Sequence, residues 1–227
     1  MNIDDILFLA SIWVLPILLA ITLHEAAHGW AAWKLGDDTA KQMGRVTFNP
    51  IAHIDPFGTI ILPAILISAG GILFGWAKPV PVNFGRLGNP RRDMVLVAAA
   101  GPAINIALAI VSAIALHAIP FLGPTAGEWV ARNLLNSITI NLLLAIFNML
   151  PLPPLDGGRV AVGILPRQLA SPLARLERYG LFILLGVIFI LPILGRQLGF
   201  DLNILRWLVL APLDFLRGLL LQGVGLI

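Results

Sequence analysis

Residues 6–33 read ILFLASIWVLPILLAITLHEAAHGWAAW, and what this stretch can be decides what kind of protein carries it. No charged residue occurs from Ile6 to Leu23. About 20 such residues in a helix are enough to cross the hydrocarbon core of a bilayer. The preceding MNIDD holds two aspartates and no Lys or Arg, the wrong sign for the n-region of a signal peptide. No small-residue cleavage site closes the run either, so the segment is expected to stay as a membrane helix.

The rest of the chain agrees. Of 227 residues, 58% are hydrophobic and 12% charged, whereas a soluble domain is about a quarter charged. Further apolar stretches lie at about 57–77, 94–120, 134–152, 179–194 and 203–222. Soluble-enzyme, disordered and fibrous classes are excluded, and the lipid bilayer is the expected solvent. There are no cysteines, which removes disulfides, thiolate zinc sites and cysteine nucleophiles. With so few charges, the net +3 is read as a signal of topology and not of a nucleic-acid partner. The expected fold is all-α and polytopic: about five transmembrane helices in one integral membrane domain over 1–227, with C-terminal helices at about 179–223. Within the polar connection 34–56, QMGRVTFNP has enough β character for a short edge strand or hairpin over 42–48.

Segment 57–77 has two readings. Pro63 near its start and Gly70-Gly71 past its middle suit a hairpin that enters and leaves by the same face, buried among other helices. A kinked single crossing fits the same breakers.

Chemistry enters with His24-Glu25-Ala26-Ala27-His28 near the end of the first segment. Residues i and i+4 share a helical face, so both imidazoles can reach one ion, with the glutamate close by to take a proton from water. Neutral imidazoles suit zinc, which keeps a position open for water in catalytic sites. With four histidines and three glutamates in the chain, a chance match is expected in about one such chain in a thousand. Ionisable groups inside an apolar span are costly and functional by default.

A catalytic zinc wants a third protein ligand. His117, at the far end of its segment, reads as an interfacial or core histidine. His53, in NPIAHIDP, lies in the loop soon after the motif and is a second possibility. The best candidate is Asp156, in the run Asn148 to Arg159, NMLPLPPLDGGR. Its prolines break the helix, and Gly157-Gly158 permit close approach of the backbone.

HEAAH in a membrane segment, then GPAIN (Gly101 to Asn105), then NMLPLPPLDGGR resembles the site-2 protease family of intramembrane zinc metalloproteases. The resemblance covers a motif-bearing core of about residues 6–160. It implies that His24, His28 and Asp156 bind one zinc ion and that Glu25 is the general base. It further implies that Asn148 and Asn105 lie near the site to orient substrate or stabilise an oxyanion. Transmembrane proteins or peptides are the implied substrates. No stretch reads as a PDZ or CBS domain, so the chain looks like the small, core-only prokaryotic group. A zinc transporter or sensor is the rival reading, although its polar path would extend along helices that are here nearly uncharged. A CAAX-type metalloprotease would use a glutamate as third ligand, but Glu128 and Glu177 lack a second helical motif.

Ligation bears on topology. For the end of the first helix and Asp156 to meet at one depth, the first and fourth segments must run in the same direction, which requires 57–77 to re-enter. Re-entry also places Lys34, Lys41, Arg45, Lys78, Arg86, Arg91, Arg92, Arg159, Arg167, Arg175, Arg178 and Arg217 on one side. Arg132, Arg196 and Arg206 are left on the other, a 12 to 3 split of the 15 basic residues against 9 to 6 for a simple crossing. The positive-inside rule then predicts an external N-terminus and an active site facing the cytoplasm of a prokaryotic cell membrane. A substrate helix must unwind before cleavage, and edge pairing with 42–48 or 78–84 is a way to hold it extended.

Overall fold

The computed structural model describes residues 2–68 and 75–226. Helix α1 (Ile3–Lys34) starts at a capping box, in which Asn2 Oδ1 accepts from Asp5 N (2.7 Å) and Asp5 Oδ2 from Asn2 N (3.0 Å). Asp4 and Asp5 in its first turn and Lys34 in its last complement the helix dipole. A short α2 (Thr39–Gln42) follows.

A π-helical turn (Pro56–Ile61) leads into α3 (Leu62–Ser68), the first limb of segment 57–77. Its two ends meet: Trp76 N donates to Gly58 O (3.1 Å) and Thr59 Oγ1 to Trp76 O (2.9 Å). A segment whose ends are hydrogen-bonded to each other enters and leaves from one side, as re-entry requires. The expected turn at Gly70-Gly71 lies outside the described residues.

Helix α4 (Pro90–Ala115) opens with Asn89 as its cap and Pro90 in the first turn. It continues through a 3₁₀ turn to Phe121. Helix α5 (Pro124–Asn148) ends where Pro151, Pro153 and Pro154 remove backbone donors. The chain doubles back into α6 (Asp156–Ile164), and a Cβ on Gly157 or Gly158 would strike the backbone of Met149 or Pro153. Only glycine fits that return.

The fifth segment is longer than 179–194. Helices α7 (Arg167–Arg175), α8 (Gly180–Leu185) and α9 (Leu191–Leu198) join through 3₁₀ and π turns into one stretch, 167–198. Arg175, Arg178 and Arg196 sit within it, and charge had marked false ends. A π turn (Arg206–Leu210) and α10 (Ala211–Gly223) complete the chain. Among the described residues, four stretches are long and apolar enough to cross a membrane: Ile3–Lys34, Pro90–Phe121, Pro124–Asn148 and Arg167–Leu198.

Helices α1, α4 and α5 form the central layer. Their contact surfaces are small residues: Ala20, Ala26, Ala31 and Ala32 on α1, and Ala98, Gly101, Ala109 and Ala113 on α4, all buried. Helices in lipid gain nothing by hiding leucine from the tails, so close backbone approach and dispersion drive the packing. Large side chains such as Leu7, Val111 and Phe182 point outward.

No strand occurs among the described residues, so the β element expected at 42–48 is absent. Residues 43–48 are turn and bend after α2. The stretch beside them, 76–83, has no regular structure: buried Arg45 donates from Nη2 to Lys78 O (2.6 Å), and Lys78 N donates to His53 O (2.9 Å).

Candidate metal centre

The end of α1 and the start of α6 bring His24, His28 and Asp156 together, all three buried. His24 Nε2 and His28 Nε2 lie 3.2 and 3.3 Å from Asp156 Oδ2 and 3.0 Å from each other. Helix α1 and α5 therefore run in the same direction with α4 between them in the reverse sense, as the topological argument required. His53 does not join the cluster. It is buried in a 3₁₀ turn with Nε2 3.2 Å from Thr47 O. His117 Nε2 meets Val224 O at 2.7 Å and does not join the cluster either. Glu128 pairs with Arg132 and Glu177 with Arg159.

Each imidazole is fixed from behind. His28 Nδ1 is 2.7 Å from Val97 O, and His24 Nδ1 is 2.6 Å from Asn105 Oδ1. Both partners are oxygens that can only accept, so each Nδ1 carries the proton and each Nε2 presents a lone pair to the cluster. Asp156 Oδ2 is buried and makes no hydrogen bond among the described residues. Two imidazole lone pairs and a carboxylate oxygen that face one another in a buried site are satisfied by a cation. The set fits zinc: donors about 2.0–2.1 Å from a tetrahedral ion stand roughly 3.3 Å apart. Gly101 makes room, since a Cβ there would lie 2.5–2.6 Å from His28 Nε2 and His24 Nε2.

A cavity of about 380 Å³ opens onto the cluster. Glu25, Asn148, Val80 and Arg159 line it. Glu25 Oε2 accepts from Val80 N at 2.8 Å, so the 76–83 stretch crosses directly in front of the glutamate. Asn148 Nδ2 donates to Leu144 O (3.0 Å) from the cavity wall. Asn105 lies beside the cluster, fully buried behind His24, with its amide bonded to His24, Ala20 and Asn141.

The family model for peptidase family M50 matches residues 12–138 and 123–191. The chain belongs to that family. "Putative zinc metalloprotease YwhC" of Bacillus subtilis is 41% identical over 184 residues, 79% of this chain and 80% of its own length. "Putative zinc metalloprotease Rip2" of Mycobacterium tuberculosis is 31% identical over 202 residues, 88% of this chain and 74% of its own. No solved structure matches the chain. Membership makes this a membrane-associated zinc metalloprotease of the site-2 protease family, in agreement with the donor set.

Sequence reading missed Asn141, Val80 and the role of Gly101. A signal existed for the first of these. Asn133, Ser137, Asn141 and Asn148 recur at spacings of four and seven along α5, a polar stripe on one face of the helix. Val80 had none, because a backbone N–H is the same for every residue except proline.

Proposed function

We propose that the chain is an intramembrane zinc endopeptidase that hydrolyses peptide bonds within or near transmembrane segments of membrane proteins. The observation that carries the reading is the convergence of His24, His28 and Asp156, donors of the right kind and spacing, on a cavity that also holds Glu25. In this reading His24, His28 and Asp156 hold the zinc ion. Bound there, zinc supplies Lewis acidity to the scissile carbonyl and to the attacking water. Glu25 takes the proton of that water and passes it to the leaving amine. The Val80 N–H holds one of its two oxygens, which fixes the carboxylate against the cavity. Asn148, in the same wall, is the group that can donate to the carbonyl oxygen as charge develops there. In this reading the open end of the cavity faces the cytoplasm, which the bias of the basic residues supports.

The test pairs two variants of the purified chain in detergent, assayed for bound zinc and for cleavage of a single-span membrane peptide. Glu25→Gln is expected to keep its zinc and lose cleavage by about 100-fold or more. Asp156→Ala is expected to lose both. Persistent cleavage by the first variant would remove Glu25 as base, and undiminished zinc in the second would defeat the ligand assignment.

A further inference from the structure

We propose that Asn141, on a helix that supplies none of the three metal-facing donors, is a positioning residue that sets the orientation and tautomer of His24 through Asn105. The inference rests on the zinc-peptidase reading above. An asparagine amide can present either its oxygen or its nitrogen to a neighbour, and the two ends have opposite consequences. If Asn105 presents oxygen, His24 keeps its proton on Nδ1 and its lone pair on Nε2, facing Asp156. If Asn105 presents nitrogen, the proton moves to Nε2 and the donor is lost.

What prevents the flip is on the far side of Asn105. Its Nδ2 donates to Asn141 Oδ1 (2.7 Å) and, at longer range, to Ala20 O (3.2 Å). Asn141 is fixed in turn, because its Nδ2 donates to Ser137 O (2.9 Å), a carbonyl that can only accept. Ser137 Oγ, 3.2 Å from the same Nδ2, is joined to Ser112 Oγ on α4 at 2.8 Å. From His24 through Asn105 to Asn141 each link has one polarity, and the amides are anchored on two main-chain carbonyls, Ala20 O and Ser137 O. Asn105 and Asn141 are both essentially inaccessible, so water cannot substitute for either. In an apolar bundle an unmatched amide is expensive, and the chain of bonds is therefore strongly biased to one arrangement.

The experiment measures zinc dissociation constants by chelator competition on the full chain in detergent, for wild type, Asn141→Leu, Asn105→Leu and the double variant. Asn141→Leu is expected to weaken zinc by about tenfold and Asn105→Leu by up to about 100-fold. Adding Asn141→Leu to Asn105→Leu should change nothing further, because the effect has a single route. Packing alone would not produce that dependence. Should leucine prevent folding, Asn141→Ala enters the same cycle. Asn141→Asp, which as the neutral acid favoured by burial offers an oxygen to Asn105 and an O–H to Ser137 O, is expected to stay close to wild type, and a loss there equal to that of leucine overturns the proposal. So does wild-type affinity in Asn141→Leu, or losses that multiply in the double variant. A wild-type chain that binds no zinc would instead overturn the zinc-peptidase reading and this inference with it.

Discussion

His24 and His28 are held from behind, whereas Glu25 between them is held from in front. The two histidines lean on Asn105 and on Val97 O, groups set in α4 and buried among three helices. The glutamate takes its hydrogen bond from Val80, in a stretch with no regular structure that Arg45 and Asp37 tether from the side. Residues three positions or fewer apart thus depend on different parts of the fold. Metal-binding geometry rides on helix packing, which is rigid. The orientation of the Glu25 side chain rides on a loop that lines the cavity.

Breaking the helical side should have the larger effect. Gly101→Ala puts a methyl group on the imidazole nitrogens, and α4 is packed too closely to retreat. Zinc affinity is expected to fall by at least about 100-fold, the upper end for disturbing a group behind a ligand. Equilibrium dialysis reads this directly, and retained zinc would mean that the helices separate easily. The loop side should separate base from metal. Val80→Pro removes the N–H that meets Glu25, in a stretch with no helical or ladder hydrogen bonds to break. Cleavage is expected to drop by about tenfold with zinc content unchanged. Parallel loss of zinc would show that the loop supports the ligands too.

The smallest effect concerns the tether. Asp37 is buried, and burial alone would raise its pKa, but hydrogen bonds from Thr39 Oγ1 (2.5 Å) and Asn83 N (2.6 Å), with Arg86 nearby, hold it below the usual carboxylate range. Its folded pKa lies below its unfolded value, so the carboxylate contributes stability above about pH 4 that is lost as pH falls through the folded value. Asp37→Asn is expected to cost about 1 kcal/mol near neutral pH. The gap to wild type should close in thermal melts taken below about pH 4. A gap independent of pH would mean that the amide replaces the carboxylate badly for reasons of shape alone.

Legibility followed locality. His24 and His28 could be paired from sequence because an i, i+4 spacing fixes a shared face wherever the helix lies. Asp156 could be favoured through the prolines and glycines around it, but His53 was excluded only by its burial in a separate turn. The β expectation at 42–48 failed because strand propensity in Val46, Thr47 and Phe48 has no force without a partner edge, and no ladder forms among the described residues. Segment 167–198 outran its apolar core because arginines near a helix end can reach the interface and do not stop the helix.

By itself, then, the sequence determined the apolar character, the helical class and the two histidines with their glutamate. These depend on composition and on spacings within one turn or two. Tertiary structure decided which carboxylate completes the cluster, which oxygen stands behind each imidazole, and which backbone N–H meets the base. Each of those is a meeting of groups far apart in the chain. Residue type limits what such groups can donate or accept, and only packing decides which of them come within 3 Å.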